Sequence, residues 1–165
     1  MNTKQLTTKV CLGYNSICKD KQHILLLDFD IPKTKLTEIE DNLRFIQKKY
    51  KIPTFYIIDS NNGYNAISLG KLSLIDNFRV RNKIKYADAL HNKIGYKRKG
   101  WVLRIGTDKK IISIIRNYAI TIKKSNAHRI LLNSYFKMKI LKDKTYDNYN
   151  TVLFEKYVQK RMVEK

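Results

Sequence analysis

The chain predicts an α+β fold, a mixed but largely antiparallel sheet flanked by helices. Three observations carry that expectation. Strand-like apolar runs are joined by tight polar turns, at Lys19-Asp20-Lys21 and at Ser60-Asn61-Asn62-Gly63, as antiparallel neighbours require. Helical periodicity is confined to a few segments between them. No strict alternation of strand and helix runs through the chain, which argues against a doubly wound parallel sheet. With 165 residues, 43% of them hydrophobic, only two prolines and no linker-like stretch, a single domain spanning 1–165 is expected.

The elements follow in order. Residues 7–14 and 23–29 read as strands. Leu36, Ile39, Leu43, Ile46 and Tyr50 recur at helical spacing, with Thr37 and Glu40 spaced as a capping box and Pro53 closing the helix. Residues 54–59 form a β-rich run, and residues 64–69 return as its hairpin partner. Ser73 can cap a short helix through about Arg81. Residues 101–105 form a further strand, and 111–120 another or a strand followed by a loop. Ser125 caps a helix carrying Ala127, Ile130, Leu131, Ser134 and Tyr135. The segment from Tyr149 to Val163 reads equally well as helix or strand.

Charge is the strongest bulk property. Lys plus Arg number 34 against 14 for Asp plus Glu, a net +20. Such a field attracts polyanions, and nucleic acid is the commonest of these in a cell. A Lys-, Ile-, Asn- and Tyr-rich composition explains part of the bias, but it would supply Glu as well, and Glu is scarce. No apolar stretch approaches 18 residues and no signal-peptide pattern opens the chain, so no membrane contact and a cytoplasmic setting are expected. Cys11 and Cys18 stand without metal-type Cys/His spacing, which suits a reducing compartment and no disulfide.

The residues that carry chemistry begin with Ile-Leu-Leu-Leu-Asp28-Phe-Asp30. In a strand, Asp28 and Asp30 share a face. Two neighbouring carboxylates repel, and a hard divalent cation such as Mg²⁺ or Mn²⁺ resolves the conflict. A strand end where two acids meet water is the plain alternative. The turn from Ser60 to Asn65 is either a phosphate cradle built on Gly63 or an ordinary hairpin. Residues 79–110 hold 11 Lys/Arg against Asp88 and Asp108, with Tyr86, Tyr96 and Trp101 interleaved. Cations on phosphates and rings on bases grip single strands, while a solvated loop with packed aromatics is the alternative. Arg79, Arg81, Lys83, Lys97, Arg98, Lys99 and Trp101 are the expected contacts. Arg104, inside the apolar Trp-Val-Leu-Arg-Ile, calls for a fixed anionic partner, either a carboxylate or a bound phosphate. Asp88 completes a three-carboxylate metal site or pairs with a lysine. His23, His91 and His128 show no ligand spacing.

In order and spacing these residues resemble the archaeo-eukaryotic primase superfamily, notably its small viral and plasmid members, over residues 23 to about 136. The correspondence runs from a strand ending in Asp28-x-Asp30, through the turn Ser60 to Asn65, to the lone Asp88. It ends on a strand carrying Arg104 with Lys109 or Lys110 beyond. Asn65 stands where the family has a phosphate-contacting histidine, and Asp76 competes with Asp88 as the third carboxylate. The resemblance implies an RRM-like catalytic core and template-dependent nucleotidyl transfer in replication. Asp28, Asp30 and Asp88 would hold Mg²⁺ or Mn²⁺, and Ser60, Gly63, Asn65, Arg104 and Lys110 would hold the nucleotide. A single-stranded DNA template and nucleoside triphosphates are the implied partners, with room for a replicative helicase.

Three other readings fit parts of the pattern. An aspartate-nucleophile phosphatase of the haloacid dehalogenase type shares the Asp-x-Asp opening, but Ile31-Pro32 follows here and no later Asp pair is found. A non-catalytic nucleic-acid-binding replication protein explains charge and aromatics while leaving the acids idle. A metal-dependent nuclease would use the same carboxylates.

Overall fold

The computed structural model describes residues 4–104, 109–118, 122–152 and 154–164, with the terminal stretches 4–12 and 154–164 described by backbone alone. The expected α+β architecture is present, built from two antiparallel sheets where one was anticipated. Strands β1 (Lys4–Asn15), β5 (Val102–Arg104) and β7 (Phe154–Glu164) make one sheet in the order β5-β1-β7. β7 settles the ambiguous tail as a strand: it pairs with β1 from Tyr14↔Phe154 to Lys4↔Glu164. Strands β2 (His23–Phe29), β3 (Phe55–Ser60), β4 (Gly63–Leu72) and β6 (Lys110–Ile115) make the second, in the order β2-β4-β3-β6. β2, the following helix α1 (Leu36–Tyr50) and β3 form a split β-α-β unit, with β4 inserted between the two strands.

The four-stranded sheet is buried on both faces, which is why β2 reads as a continuous apolar run. Leu25, Leu27 and Phe29 point to one side and pack with Ile39, Leu43 and Ile46 of α1. Ile24 and Leu26 point to the other and pack with Tyr14, Trp101, Leu103 and Leu132. α1 begins earlier than the Thr37–Glu40 spacing implies. A short 3₁₀ turn at 33–35 leads into it, and its N-cap, Lys35, makes no side-chain cap bond. α2 (Leu74–Arg81) starts on Ser73, whose Oγ accepts from the Asp76 N–H at 3.1 Å. α4 (Asn126–Tyr135) starts on Ser125 in the same way.

Helix α3 (Ala89–Arg98) occupies part of the stretch whose composition reads as a basic loop. Its N-cap is Asp88, and it ends on Lys99 in the left-handed conformation at φ 58°. Ser16 stitches the two sheets together. Its N–H donates to the Trp101 carbonyl at 2.7 Å, its carbonyl accepts from Ile24 at 3.0 Å, and its Oγ accepts from the Trp101 N–H at 3.0 Å. No described helix is long and apolar enough to cross a membrane.

Candidate metal and nucleotide site

Asp28 lies near the end of β2, on the face it shares with Ile24 and Leu26. Its cross-strand partner on β4 is Asn65, a residue only 4% exposed. Asn65 Nδ2 donates to Asp28 Oδ1 at 2.9 Å and to the Tyr64 carbonyl at 3.3 Å. Asn65 Oδ1 accepts from Lys109 Nζ at 3.0 Å, and Lys109 also donates to the Arg104 carbonyl at 2.7 Å. Both amide hydrogens of Asn65 are therefore spent. It bridges the acid to the lysine and has no donor left for a phosphate, so the expected nucleotide contact at Asn65 is corrected.

Asp88 reaches the same place from α3. Its N–H donates to the Asp28 carbonyl at 2.8 Å, docking the start of α3 on the end of β2. Its Oδ1 accepts from the Leu90 and His91 N–H groups at 2.8 and 3.1 Å, so it caps the helix as well. Asp76 drops out as the third carboxylate. It is exposed on α2, engaged with Ser73 and with Arg79 at 3.7 Å. Asp30 lies exposed just past β2. Burial pushes the Asp28 carboxyl above its ordinary range; Asp88 and Asp30 push it the same way, against His91 and Lys109. Burial lowers the Lys109 ammonium, with Arg104 adding to the effect and Asp28 opposing it.

The remaining expectations divide. Lys109, not Lys110, faces the acid: Lys110 is exposed on β6, paired across strands with Asp59. Arg104 is half-buried at the end of β5 and forms no ion pair with a carboxylate among the described residues. The Ser60 and Gly63 carbonyls both accept from Lys33 Nζ, the latter at 2.7 Å, and Lys33 also pairs with Asp59. That turn presents oxygen to a cation, the opposite polarity to a phosphate cradle. Gly63 is needed for packing, because a Cβ there would stand 1.9 Å from the Phe29 carbonyl oxygen.

Arg79, Lys83, Lys97, Arg98 and Lys99 are exposed, as a nucleic-acid surface requires. Arg81 and Trp101 are not, and their assignment as contacts is corrected. Arg81 is 0% exposed and stacks on Trp101 at 3.9 Å from the ring centroid. Trp101 is 1% exposed, lies against Gly95 and donates from Nε1 to the Asn92 carbonyl at 3.1 Å. A ring held on all sides cannot stack on a base.

His91 joins the site although it shows no ligand spacing with the other histidines. It follows Asp88 by three residues, so both lie on one side of the first turn of α3. That i, i+3 spacing is the one signal of it in the sequence. His91 Nε2 bonds the Val102 carbonyl at 3.1 Å, and its Nδ1 is buried without a hydrogen-bond partner.

The donor set suits a hard cation in kind: carboxylate oxygens lie at the end of β2 and the start of α3, and at Asp28 burial opposes the charged form. Among the described residues the hydrogen bonds of Asp28 and Asp88 use Oδ1 of each. Among the described residues no three His, Cys, Asp or Glu groups converge on one point as a metal site. No family model matches this chain, and neither a curated protein nor a solved structure matches it.

Proposed function

We propose that this protein is a nucleotidyltransferase of the primase-polymerase type, extending a strand on a single-stranded template with nucleoside triphosphates. One observation carries the proposal. Asp28 of β2, Asn65 of β4, Asp88 at the start of α3 and the pair Arg104 and Lys109 are far apart in sequence, yet they are linked at one end of the four-stranded sheet. A strand end with idle acids gives no reason for that assembly.

Each side chain then has a task. Asp28 and Asp88, with Asp30 at the rim, would hold Mg²⁺ or Mn²⁺, which when bound would supply positive charge to offset the negative charge that develops in phosphoryl transfer. Asn65 fixes the Asp28 carboxylate and keeps Lys109 beside it. Lys109 and Arg104 face the triphosphate charge. The 3′-oxygen bonds to the α-phosphorus, the bond to pyrophosphate breaks, and the hydroxyl proton leaves to solvent. The exposed cations of α2 and α3 hold the template backbone.

The test is incorporation of labelled nucleotides on a single-stranded template with Mn²⁺ or Mg²⁺. Wild type incorporates, and the Asp28→Ala, Asp30→Ala double variant loses incorporation while still binding the strand. Binding without incorporation in wild type would reduce the protein to a nucleic-acid-binding module. Strand degradation without added nucleotides would make it a nuclease.

A further inference from the structure

We infer that the cavity at the opposite end of β4 from Asp28 is a second binding site, one that takes the phosphate and base of a nucleotide. It uses none of the residues assigned to the metal and nucleotide site above, so the two readings stand or fall separately.

The cavity encloses about 600 Å³, within the ~300 to ~1,000 Å³ of small-ligand sites. Lys71 of β4 lies in its wall, six residues along the strand from Asn65, or roughly 20 Å at an extended rise. Backbone bonds fix the wall. The Lys71 N–H donates to the Lys123 carbonyl at 2.8 Å, the Lys124 N–H to the Thr145 carbonyl at 2.8 Å, and the Asp147 N–H to the Lys124 carbonyl at 2.9 Å. These bonds tie residues 136–152, which run without helix or strand, to the end of the sheet. So long an irregular segment tied into a compact domain is usually functional.

Charge is unequally shared across the wall. Lys71, whose side chain is 2% exposed, donates to Asp20 at 2.5 Å and stands 2.8 Å from Asp147. Lys124 pairs with Asp143 at 3.4 Å. The two inner lysines thus take up all three aspartates. Lys123, Lys142 and Lys144 stand exposed at the rim, and none of them pairs with a carboxylate among the described residues. Five lysines against three aspartates leave two positive charges, which match the charge of roughly −2 on a terminal phosphate. Like charges gathered on one rim repel, and an anion relieves that repulsion.

Tyr149 supplies the contact for a base. It lines the same cavity, is 38% exposed, and has Lys19 and Lys71 at 5.3 and 5.9 Å from its ring centroid. Rings beside phosphate-binding cations hold nucleotides with little choice of base. The plain alternative is a solvated lysine cluster on a +20 chain. It gives no reason for the concavity, for the inward pairing of every acid in its wall, or for the tyrosine among the lysines.

Amide shifts in ¹⁵N NMR of the full chain, in metal-free buffer, test the site. ATP and a short oligothymidylate are the probes, since a free nucleotide and a strand offer the same phosphate and base. Saturable shifts at Lys123, Lys142, Lys144 and Tyr149 are expected with at least one of them. Shifts with ATP alone assign the site to a free nucleotide, and shifts with the oligothymidylate assign it to a nucleotide within a strand. Lys142→Ala with Lys144→Ala, both exposed side chains, should weaken the active probe about tenfold. For the strand, the slope of log affinity against log salt should fall by about 0.7 per cation removed. Shifts at these amides with neither probe, or unchanged affinity in the double variant, would overturn the site. Unchanged affinity in Tyr149→Ala would overturn the base contact and reduce the cavity to a phosphate site. If a variant does not fold, the wild-type shifts decide alone.

Discussion

Gly95 and Trp101 show how a single residue is constrained here. Gly95 sits inside α3, where glycine costs helix stability, because a Cβ would stand 2.0 Å from Trp101 Cδ1. Gly95→Ala is expected to lose about 1–3 kcal/mol in urea denaturation through overpacking, against the gain that alanine brings to an ordinary helix. Asp28 and Asp30 stood out in the sequence by their spacing, whereas Asn65 was singled out only through the resemblance and as a nucleotide contact, and Asp88 only in competition with Asp76. The burial of Arg81 and Trp101 was not legible. Both lie in a stretch whose composition reads as a solvated basic surface, and only the packing of α2 against β2 and α3 reveals that they stack inward. His91 was hidden for a related reason, since an orphaned ring nitrogen is a property of three dimensions.

At the scale of elements, β2 and α3 do most to define the site. β2 was readable from its apolar run, and its hydrogen-bonded partner β4 from the hairpin turn. α3 was not, because its outer face mixes Leu90 and Ile94 with Lys93, Lys97 and Arg98, leaving no clean apolar stripe to mark a helix. The helix that supplies Asp88 to the acids also presents those cations to solvent. If α3 grips the template backbone, Lys97→Ala with Arg98→Ala should weaken single-strand binding alike across sequences. The slope of log affinity against log salt should fall by about 0.7 for each cation removed. An unchanged slope would move the template away from α3.

Across the whole molecule, two buried histidines link stability to pH. Burial lowers His23 and His128 from 6.5 to about 4. Between those values the unfolded chain takes up protons that the folded chain refuses, so stability is full above pH 6.5 and falls as pH drops toward 4. His128 alone accounts for a loss on the order of 3 kcal/mol. Denaturation midpoints at pH 7.5 and 5 should differ accordingly, and His128→Asn should flatten the difference; a flat wild-type profile would contradict it. Below that range the next loss is Asp20. Burial acts to raise its carboxyl, but the Lys71 ammonium, its own side chain 2% exposed, outweighs that and holds it beneath 3.8, in a cluster shared with Asp147. The α+β class was legible at this scale. The split into two sheets was not, because it depends on the long-range pairing of β1 with β7 and β5, which no local pattern encodes.

Asp88 separates the catalytic account from a purely structural one, because it both caps α3 and stands beside Asp28. Asparagine caps a helix about as well as aspartate but removes the charge an ion needs. The decisive measurement is template-directed nucleotide incorporation with Mn²⁺ by wild type and Asp88→Asn, with thermal melting recorded alongside. An unchanged melt with incorporation reduced at least about 10²-fold is the predicted result. Equal incorporation by the two proteins, or none by wild type, would contradict it.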